Sequence, residues 1–536
     1  MDREYERIEY SKDEDVSEEE LKVAMSDFVW HKTPEGIEIT ALSERFVATL
    51  SGYYKHIAKP KPIRIPYGVT SIGSGTFKNS AIKSAEIPDS VVTIGEEAFM
   101  GCVFLSSVNI PRGIERIGRG AFGQCVNLER IELPDTVRTI GEDAFYLCGS
   151  LAEVILSEGL AEIGRNAFMG CYSLERADIP STVTEIGERA FANCRKLNAL
   201  VPKSVKSLGG GAFTGCASIS SDNPDYIVEK GVLYTKNGQT LLCYPSSSSA
   251  PIGGCKAIAP YAFSHNQSIE RIRLPESVSE IGEGAFEYCK HLAEITVAGA
   301  VGAIPARCFA ECDKLTLVTL PQRLHTVGEG AFALCKALTE INIPGTLNRL
   351  MKEAFFGCEK LTSVSLPENV VAINASCFEG CSSLARVTLP KRLTFIYQRA
   401  FARCSSLSEL NIPDSVTQIA TEAFHETALK RVLLPAGLTT LRHRVFSECK
   451  ELITVVLPKK LETIEDEAFF FCRNMTEVYF PMSLRSISSR CYMMCDKWRV
   501  VHFEGKPKHW DKIPKENDGL RYSRIEVRYK AKWPKS

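Results

Sequence analysis

Three glycines at G-x-G-x-x-G spacing are the residues of this chain whose pattern most directly suggests chemistry. They are Gly118, Gly120 and Gly123 in "IGRGAFGQC", residues 117–125. Such a loop can hold a dinucleotide pyrophosphate when it follows a strand and opens a helix. The same frame recurs 23 residues upstream as "IGEEAFMGC" and 23 residues downstream as "IGEDAFYLC", without the three glycines. The glycines are therefore incidental to a repeat, and we expect no nucleotide site here.

The 20 cysteines are the second chemical candidate. Fifteen of them follow the aromatic residue of the repeat by three positions, and Cys308, Cys377 and Cys491 replace the alanine before it. A free cysteine packs as a small hydrophobe, so we expect a column of buried thiols. A C-x-x-x-C pair such as Cys308 and Cys312 supplies two of the four ligands that zinc usually takes, and no histidine recurs nearby. We therefore predict no metal site and no cofactor.

Catalytic motifs are missing from the sequence. The nine histidines are scattered, and H-E-x-x-H, G-x-S-x-G and Walker patterns do not occur. Because no cluster of titratable residues suggests a reaction, the sequence favours a protein that is not an enzyme.

A unit of 22 or 23 residues positions all of these side chains. The consensus is L-x-x-I-x-I-P-x-x-V-x-x-I-G-x-x-A-F-x-x-C, and 18 copies can be counted by their aromatic residue. These aromatic residues are Phe77, Phe99, Phe122, Phe145, Phe168, Phe191, Phe213, Phe263, Phe286, Phe309, Phe332, Phe355, Phe378, Phe401, Phe424, Phe446, Phe469 and Tyr492. A fixed period of this length predicts a solenoid, in which each unit covers the next.

Each unit contains two short extended segments and a turn. "LERIELP", residues 128–134, alternates apolar and polar residues like a half-buried strand, which Pro134 ends. "VRTIG" forms a second extended segment, and "EDAFYLC" places Ala144 and Cys148 on one face of a predicted helical turn. The fold class predicted is a β-rich (α/β repeat) right-handed solenoid of about 18 rungs, with parallel strands and one inserted β-hairpin.

The segment "LPDTVRTIGEDAFYLCGSLAEVIL" resembles the BspA-type leucine-rich repeats, in which I-G-x-x-A-F-x-x-C follows L-P-x-x-V. The resemblance covers about residues 67–503. It implies a β-rich solenoid whose parallel strands line one face and a function in binding proteins or cell surfaces, including adhesion.

The glycine after the isoleucine is not constant. It is present in units such as those of Gly95 and Gly328, but Met351, Asn374 and Tyr397 stand at the same position in later units. A position that accepts such side chains is not expected to need a positive φ.

The predicted organisation has four parts. Residues 1–27 form an acidic, partly disordered segment, 28–66 an N-terminal cap, 67–503 the solenoid, and 504–536 a C-terminal cap. Within the solenoid, residues 219–255 replace one unit, and Asn237-Gly238 predicts a projecting hairpin there. We expect tryptophans to cover the solenoid ends: Trp30, Trp498, Trp510 and Trp533.

The charges of the chain are nearly balanced, with a net charge of −1. Residues 1–27 carry 11 acidic and four basic residues, and residues 505–536 carry ten basic and four acidic residues. A solvated tail is favoured for the acidic segment, with an acidic docking arm as the alternative. Nucleic-acid binding is not expected, because basic and aromatic residues do not alternate over a face.

No secretion signal or membrane-spanning stretch is visible in the sequence. A cytoplasmic location is therefore the default expectation, which the density of thiols also favours. Export by a route without a leader remains an open alternative.

The middle residue of each I-x-I segment should point outward, in a column of side chains about 4.8 Å apart. The column is Glu86, Asn109, Glu132, Ile155, Asp178, Arg273, Thr296, Thr319, Asn342, Ser365, Thr388, Asn411, Leu433, Val456, Tyr479 and His502. Its last four members, Leu433, Val456, Tyr479 and His502, are the predicted partner-binding residues, since exposed apolar surface often marks an interaction site. The alternative is that they pack under the C-terminal cap.

Two functions are compatible with this column. The first is a scaffold that binds a protein partner, such as a cell-surface or host protein. The second is a glycan or small-ligand module that uses the polar middle of the column, with the inserted hairpin as a lid.

Overall fold

The computed structural model describes residues 25–43, 60–245, 251–488, 490–513 and 526–532. These residues form a β-solenoid of about 20 turns with parallel strands. The chain divides into two compact units, Met1–Gly231 and Val232–Ser536. Residues 1–24 of the predicted acidic segment lie outside the described residues, as does Trp533.

Each of these two compact units, called the first and the second unit below, contains two parallel ladders. We call them the I-x-I ladder and the V-x-x-I ladder after the consensus of the repeat. In the first unit the I-x-I strands are Lys61–Arg64, Ile82–Glu86, Ser107–Val108, Arg130–Glu132, Glu153–Ile155, Arg176–Ala177, Asn198–Val201 and Ser218–Ser221. The V-x-x-I strands are Val69–Ile72, Thr93–Ile94, Arg116–Ile117, Thr139–Ile140, Glu162–Ile163, Glu185–Ile186 and Ser207–Leu208. The strand Tyr226–Glu229 ends this unit.

The second unit repeats the two ladders. Its I-x-I strands are Arg271–Arg273, Glu294–Thr296, Leu317–Thr319, Ser363–Ser365, Arg386–Thr388, Arg431–Leu433, Thr454–Val456, Glu477–Phe480, Val500–Phe503 and Glu526–Tyr529. Its V-x-x-I strands are Thr240–Cys243, Ala257–Ile258, Glu280–Ile281, Ala303–Ile304, Thr326–Val327, Arg349–Leu350, Ala372–Ile373, Phe395–Ile396, Gln418–Ile419, Thr440–Leu441, Thr463–Ile464 and Ser486–Ile487. The strand Val232–Thr235 begins this unit.

A stack of aromatic rings fills the core of each unit. In the first unit, Phe122 and Phe145 stack with their ring centroids 5.5 Å apart and their planes within 7°. In the second unit, Phe332 and Phe355 stack at 5.3 Å and 4°. Offset stacking at such distances is favourable between aromatic rings. The predicted phase residue of the repeat is therefore the central core residue of each rung.

The segment A-F-x-x-C is a non-helical turn, so the predicted helical turn is wrong. In the rung of Phe145, the N–H of Phe145 donates to the carbonyl of Ala167 in the next rung over 2.7 Å. Asp143 stands two residues before Phe145 and Leu147 two residues after it, and their φ values are 57° and 58°. A left-handed residue interrupts a right-handed helix, so alternate N–H groups point to the neighbouring rung. Their hydrogen bonds form a third ladder, which we call the turn ladder.

The glycine after the isoleucine has no positive φ in the described residues, as the sequence predicts. It has a different function, which is close contact between backbones. A Cβ on Gly328 would lie 2.6 Å from the amide nitrogen of Ala306, and one on Gly95 would lie 2.5 Å from that of Ser74. Glycine allows this approach because it lacks a Cβ.

The inserted hairpin is present, but it does not project as a separate lid. Leu233 pairs with Cys243 in an antiparallel arrangement around Gly238, which has a φ of 67°. The strand Thr240–Cys243 also pairs in parallel with Ala257–Ile258, and its last three residues are buried. The apolar sequence of this strand explains the difference, because its side chains have to be buried on both faces.

The hairpin also returns the chain to the repeat. Tyr244 directly follows it and stacks on Phe263 with centroids 4.7 Å apart. Its N–H donates to the carbonyl of Ala262 over 2.8 Å, like that of a repeat phenylalanine. Tyr244 therefore occupies the aromatic position of an additional rung, which the spacing of the phenylalanines did not reveal.

Both ends of the described chain carry caps. The antiparallel strands Phe28–Thr33 and Gly36–Leu42 precede the first V-x-x-I strand, and Phe28 packs edge-on against Phe77 at 6.3 Å. A 3-10 turn, Met25–Asp27, precedes them, and a one-turn helix, Pro507–Trp510, lies near the other end. There, Trp498 and Trp510 are buried. The predicted boundaries of the caps stay a prediction.

Candidate binding surface

The four predicted partner-binding residues lie in consecutive strands of the I-x-I ladder. Leu433 pairs with Val456, Val456 with Tyr479, and Tyr479 with His502. We call these four residues the C-terminal column. Their stacking follows from the repeat, since equivalent positions of parallel strands lie opposite one another.

The members of the C-terminal column differ in exposure. Leu433 is 47% exposed, Tyr479 is half-buried, and the His502 side chain is largely buried, with 14% of its surface exposed. Val456 is only 2% exposed, so its prediction as a surface residue is wrong. Its two paired neighbours, Leu433 and Tyr479, have longer side chains, and a short valine between longer side chains in a ladder is shielded from water. The members of the column with exposed surface are therefore Leu433, Tyr479 and, to a smaller extent, His502.

The aromatic end of the column is held by stacking and by a carboxylate. The rings of Tyr479 and His502 lie 4.3 Å apart with their planes within 6°. The imidazole Nε2 of His502 lies 2.7 Å from the Oε2 of Glu477. Burial raises the pKa of the Tyr479 hydroxyl, and the nearby Glu477 raises it further. These groups form a fixed surface with a neutral phenol at ordinary pH.

Further exposed apolar side chains occur in the same part of the second unit. Ile453, which is 45% exposed, lies one residue before the strand Thr454–Val456. Its N–H donates to the carbonyl of Lys430, and its own carbonyl accepts from Thr476. The signal for Ile453 was present in the sequence, because this position of the repeat is usually polar.

The first unit presents a more polar face. The side chains of Arg130, Glu132, Asp135 and Glu158 help to line a groove of about 880 Å³ along its I-x-I ladder. Arg130 lies 3.1 Å from Glu153, which is also 3.7 Å from Arg176 on the next strand. These alternating charges largely neutralise one another.

The first unit also exposes an apolar residue that the predicted column omitted. Leu200, 44% exposed, stands at the outward position of the strand Asn198–Val201. It was missed because its rung is one residue shorter than its neighbours.

The polar middle of the column lies partly on paired strands and partly on segments between them. Thr296 pairs with Thr319, and Ser365 pairs with Thr388. Asn342 and Asn411 lie in segments that form no strand. These side chains are small, so the middle presents a shallow row of hydroxyl and amide groups.

The thiols form hydrogen bonds inside the turn ladder. In the rung of Phe332, the Sγ of Cys335 donates to the carbonyl of Phe309 in the preceding rung over 3.0 Å. The same bond is made at Cys102, Cys125, Cys148, Cys171, Cys194, Cys216, Cys289, Cys312, Cys358, Cys381, Cys404, Cys449, Cys472 and Cys495. Burial raises the pKa of thiols in this column, for example to about 12 at Cys289. Thiols in this state are poor nucleophiles.

The glycine motif of residues 117–125 lies in an ordinary rung of the first unit. Only Gly120 of the three has a positive φ, at 61°, and it takes the left-handed position before the alanine. The motif opens a turn and not a helix. The geometry that holds a pyrophosphate at a helix N-terminus is therefore not built here.

The comparisons with known proteins agree with this repeat. The profile of the BspA type leucine-rich repeat region matches residues 51–131, 92–220, 256–385 and 371–499, well over half of the chain. The chain belongs to the BspA-type leucine-rich repeat family. No curated protein matches the sequence significantly. Membership of this family suggests a scaffold for protein interaction.

The chain is similar to several solved bacterial structures. A leucine-rich repeat protein from Bacteroides ovatus is 23% identical over 94% of this chain and 98% of that chain, with a TM-score of 0.37. A leucine rich cell surface protein from Faecalibacterium prausnitzii is 22% identical over 91% and 96%, with a TM-score of 0.38. A leucine-rich repeat protein from Eubacterium ventriosum is 21% identical over 77% and 96%, with a TM-score of 0.43.

The described residues were also searched for membrane spans. None of their helices has the length and apolar character that crossing a bilayer requires.

Proposed function

We propose that this BspA-type repeat protein is a non-enzymatic scaffold that binds a protein partner through the C-terminal end of its I-x-I ladder. The contact residues are Leu433, Tyr479 and His502. The observation that supports this most directly is the exposed Leu433 in register with a stacked aromatic pair on a rigid ladder.

The chemistry of this surface suits a protein partner. Leu433 offers an apolar contact, while Tyr479 and His502 offer flat rings with polar edges. Tyrosine is frequent at the centre of protein interfaces, where a preordered side chain loses little entropy on binding. The carboxylate of Glu477 fixes the His502 ring, so this part of the surface is already ordered.

Affinity capture from the host of origin tests the proposal. The bait is the full chain, compared with a Leu433→Asp, Tyr479→Ala double variant. We expect the variant to lose at least tenfold of the captured partner, because a hot-spot residue typically contributes about 2 kcal/mol or more. Val456 is left intact, because a charge at this buried position would disturb the fold.

The matched control changes the polar middle of the same ladder. A Ser365→Ala, Thr388→Ala variant should capture the partner as well as the unmodified chain. Equal capture by the Leu433–Tyr479 variant and the unmodified chain would contradict the proposed surface. Loss with the control variant alone would instead favour the polar middle, and a glycan array would then test the glycan alternative.

Adhesion is a more specific form of the same proposal. It requires the chain to be at the cell surface, so labelling of intact cells with an impermeant biotin reagent is the first test. Labelling of the protein would support adhesion, and protection from the reagent until the cells are lysed would contradict it.

A further inference from the structure

We propose that His425, Glu426 and Glu448 form a binding site for Zn²⁺ on the turn ladder of the second unit. One imidazole nitrogen and one oxygen of each carboxylate lie within 4.8 Å of one another. The site is separate from the C-terminal column, and the proposal does not depend on the proposed partner-binding function.

The repeat brings the two carboxylates together. Glu426 and Glu448 each stand two residues after the aromatic residue of their rung, with φ values of 55° and 60°. The N–H of Glu426 donates to the carbonyl of Ser447 over 2.9 Å, which locks the two turns in register. His425 precedes Glu426 on the same turn. The three side chains therefore start from neighbouring points of two hydrogen-bonded turns.

The histidine ring is oriented by a group outside the cluster. Its Nδ1 lies 3.1 Å from the carbonyl oxygen of Ser447. The Nδ1 also lies 3.2 Å from the Ser447 hydroxyl oxygen, and in the tautomer in which Nδ1 donates to the carbonyl, Nε2 of a neutral ring presents its lone pair. A backbone carbonyl that fixes the tautomer in this way is the usual second partner of a zinc-bound histidine. The side chain is also largely buried, with 14% of its surface exposed.

The Nε2 of His425 lies near a carboxylate. The distance from Nε2 of His425 to Oε2 of Glu426 is 3.9 Å, which is too long for a hydrogen bond. A cation bound between these two atoms would contact both of them. Ligands of one zinc ion, each about 2.1 Å from the metal, lie about 3–4 Å apart, so small side-chain rotations suffice to bind the ion.

The charges around the cluster leave room for a cation. Arg403 Nε lies 3.2 Å from Glu426 Oε2 and neutralises one carboxylate. Glu448 supplies a second negative charge, and no ion pair of Glu448 is found among the described residues. The two carboxylates and Arg403 together carry a net charge of about −1, and Arg444, which pairs with Glu467, also interacts electrostatically with Glu448.

The ion would have access from solvent. Glu426 and Glu448 line an open groove of about 590 Å³ on the turn side. One nitrogen and two oxygen ligands suit Zn²⁺ better than Ca²⁺ or Mg²⁺, which prefer oxygen ligands alone. Three protein ligands leave at least one coordination position for water on the groove side.

Isothermal titration of the chelator-treated full chain with ZnCl2 tests the site. We expect one equivalent to bind, and His425→Ala and Glu448→Gln each to weaken binding about tenfold or more. His325→Ala is the matched control, because His325 is an exposed histidine of the same unit, and it should bind as the unmodified chain does. Circular dichroism verifies that each variant is folded.

Cobalt spectroscopy separates this site from the thiols. Co²⁺ bound to nitrogen and oxygen gives weak visible bands, whereas cysteine ligands add a strong sulfur-to-metal band in the near ultraviolet. We expect the weak bands alone, and we expect them to be lost in His425→Ala. Failure to bind Zn²⁺, binding that His425→Ala and Glu448→Gln leave unchanged, or a strong sulfur band would each overturn the proposal.

Discussion

Single cysteines in the turn do more than fill space. Each of the fifteen repeat thiols donates to the carbonyl of the phenylalanine in the preceding rung, as Cys335 does to Phe309 over 3.0 Å. That carbonyl also accepts the N–H of Cys312 in its own rung. An alanine would fill the site but leave one acceptor position unused. The thiol therefore adds an inter-rung hydrogen bond to its burial.

The reactivity of the thiols is the first prediction about single residues. Nineteen of the 20 cysteines are buried and only Cys495 is half-buried. We expect the native chain to react with Ellman's reagent at no more than about one thiol, because burial raises the pKa and blocks access. In guanidinium all 20 should react. Rapid reaction of many thiols in the native chain would show that the turn ladder is open.

Stability at alkaline pH is the second residue-scale prediction. The pKa of Cys102, Cys289 and Cys381 rises from 9.0 to about 12 in the folded chain, chiefly through burial. The unfolded chain therefore releases thiol protons first, so these groups stabilise the fold fully below about pH 9 and lose that effect as the pH rises towards 12. Urea midpoints should fall steadily above pH 9. A midpoint that stays constant between pH 9 and 11 would contradict this.

The turn is the element that the sequence described least well. Each rung places left-handed residues two positions before and two positions after its aromatic residue, and many of these residues are not glycine, such as Arg403 and Glu448. A left-handed conformation costs such residues about 1–2 kcal/mol. The turn ladder and the aromatic stack supply the energy that keeps them there.

Gly330→Ala measures that cost. Gly330 has a φ of 56°, and an added Cβ would meet only ordinary contacts, the nearest at 3.6 Å. The free energy of unfolding should fall by about 1–2 kcal/mol through backbone strain alone. Gly345→Ala is the control, because its φ is not positive and nothing lies within 4 Å of the added Cβ. Equal effects of the two changes in urea denaturation would argue against the strain.

The aromatic stack sets the next prediction. Phe332 is fully buried between Phe309 and Phe355, with centroid distances of 5.2 and 5.3 Å. Phe332→Ala should reduce the free energy of unfolding by about 3–5 kcal/mol. Thr319→Ala on the exposed side of the ladder should change it by less than about 0.5 kcal/mol. Similar losses in urea denaturation would mean that the two faces are assigned wrongly.

At the scale of the whole molecule, the repeat makes each rung depend mainly on its neighbours. Hydrogen bonds of the turn and of both ladders connect residues mostly 21 to 24 apart, which lie in adjacent rungs. Stability is then approximately a sum of rung and interface contributions. We therefore expect the fold to tolerate the loss of a whole rung better than a shift of the repeat positions within a rung.

Deletion of one complete rung tests this dependence. Removal of residues 310–332 joins Phe309 to Ala333 and keeps every later side chain in phase. We expect this variant to fold with a solenoid circular dichroism spectrum and protected thiols. Removal of residues 310–320 should expose thiols and broaden the unfolding transition, because it turns apolar side chains towards solvent. Equal behaviour of the two deletions would contradict the rung as the unit of folding.

The sequence by itself determined the rung, the stacked aromatic and thiol core, and the family, because a side chain repeated at a fixed interval needs one environment in every copy. Tertiary structure alone decided the features that depend on neighbouring rungs. These are the left-handed turns, the pairing of the inserted hairpin, the burial of Val456 between longer side chains, and the meeting of His425 with Glu448. Such features depend on distances between side chains of different rungs, which a list of residues does not contain.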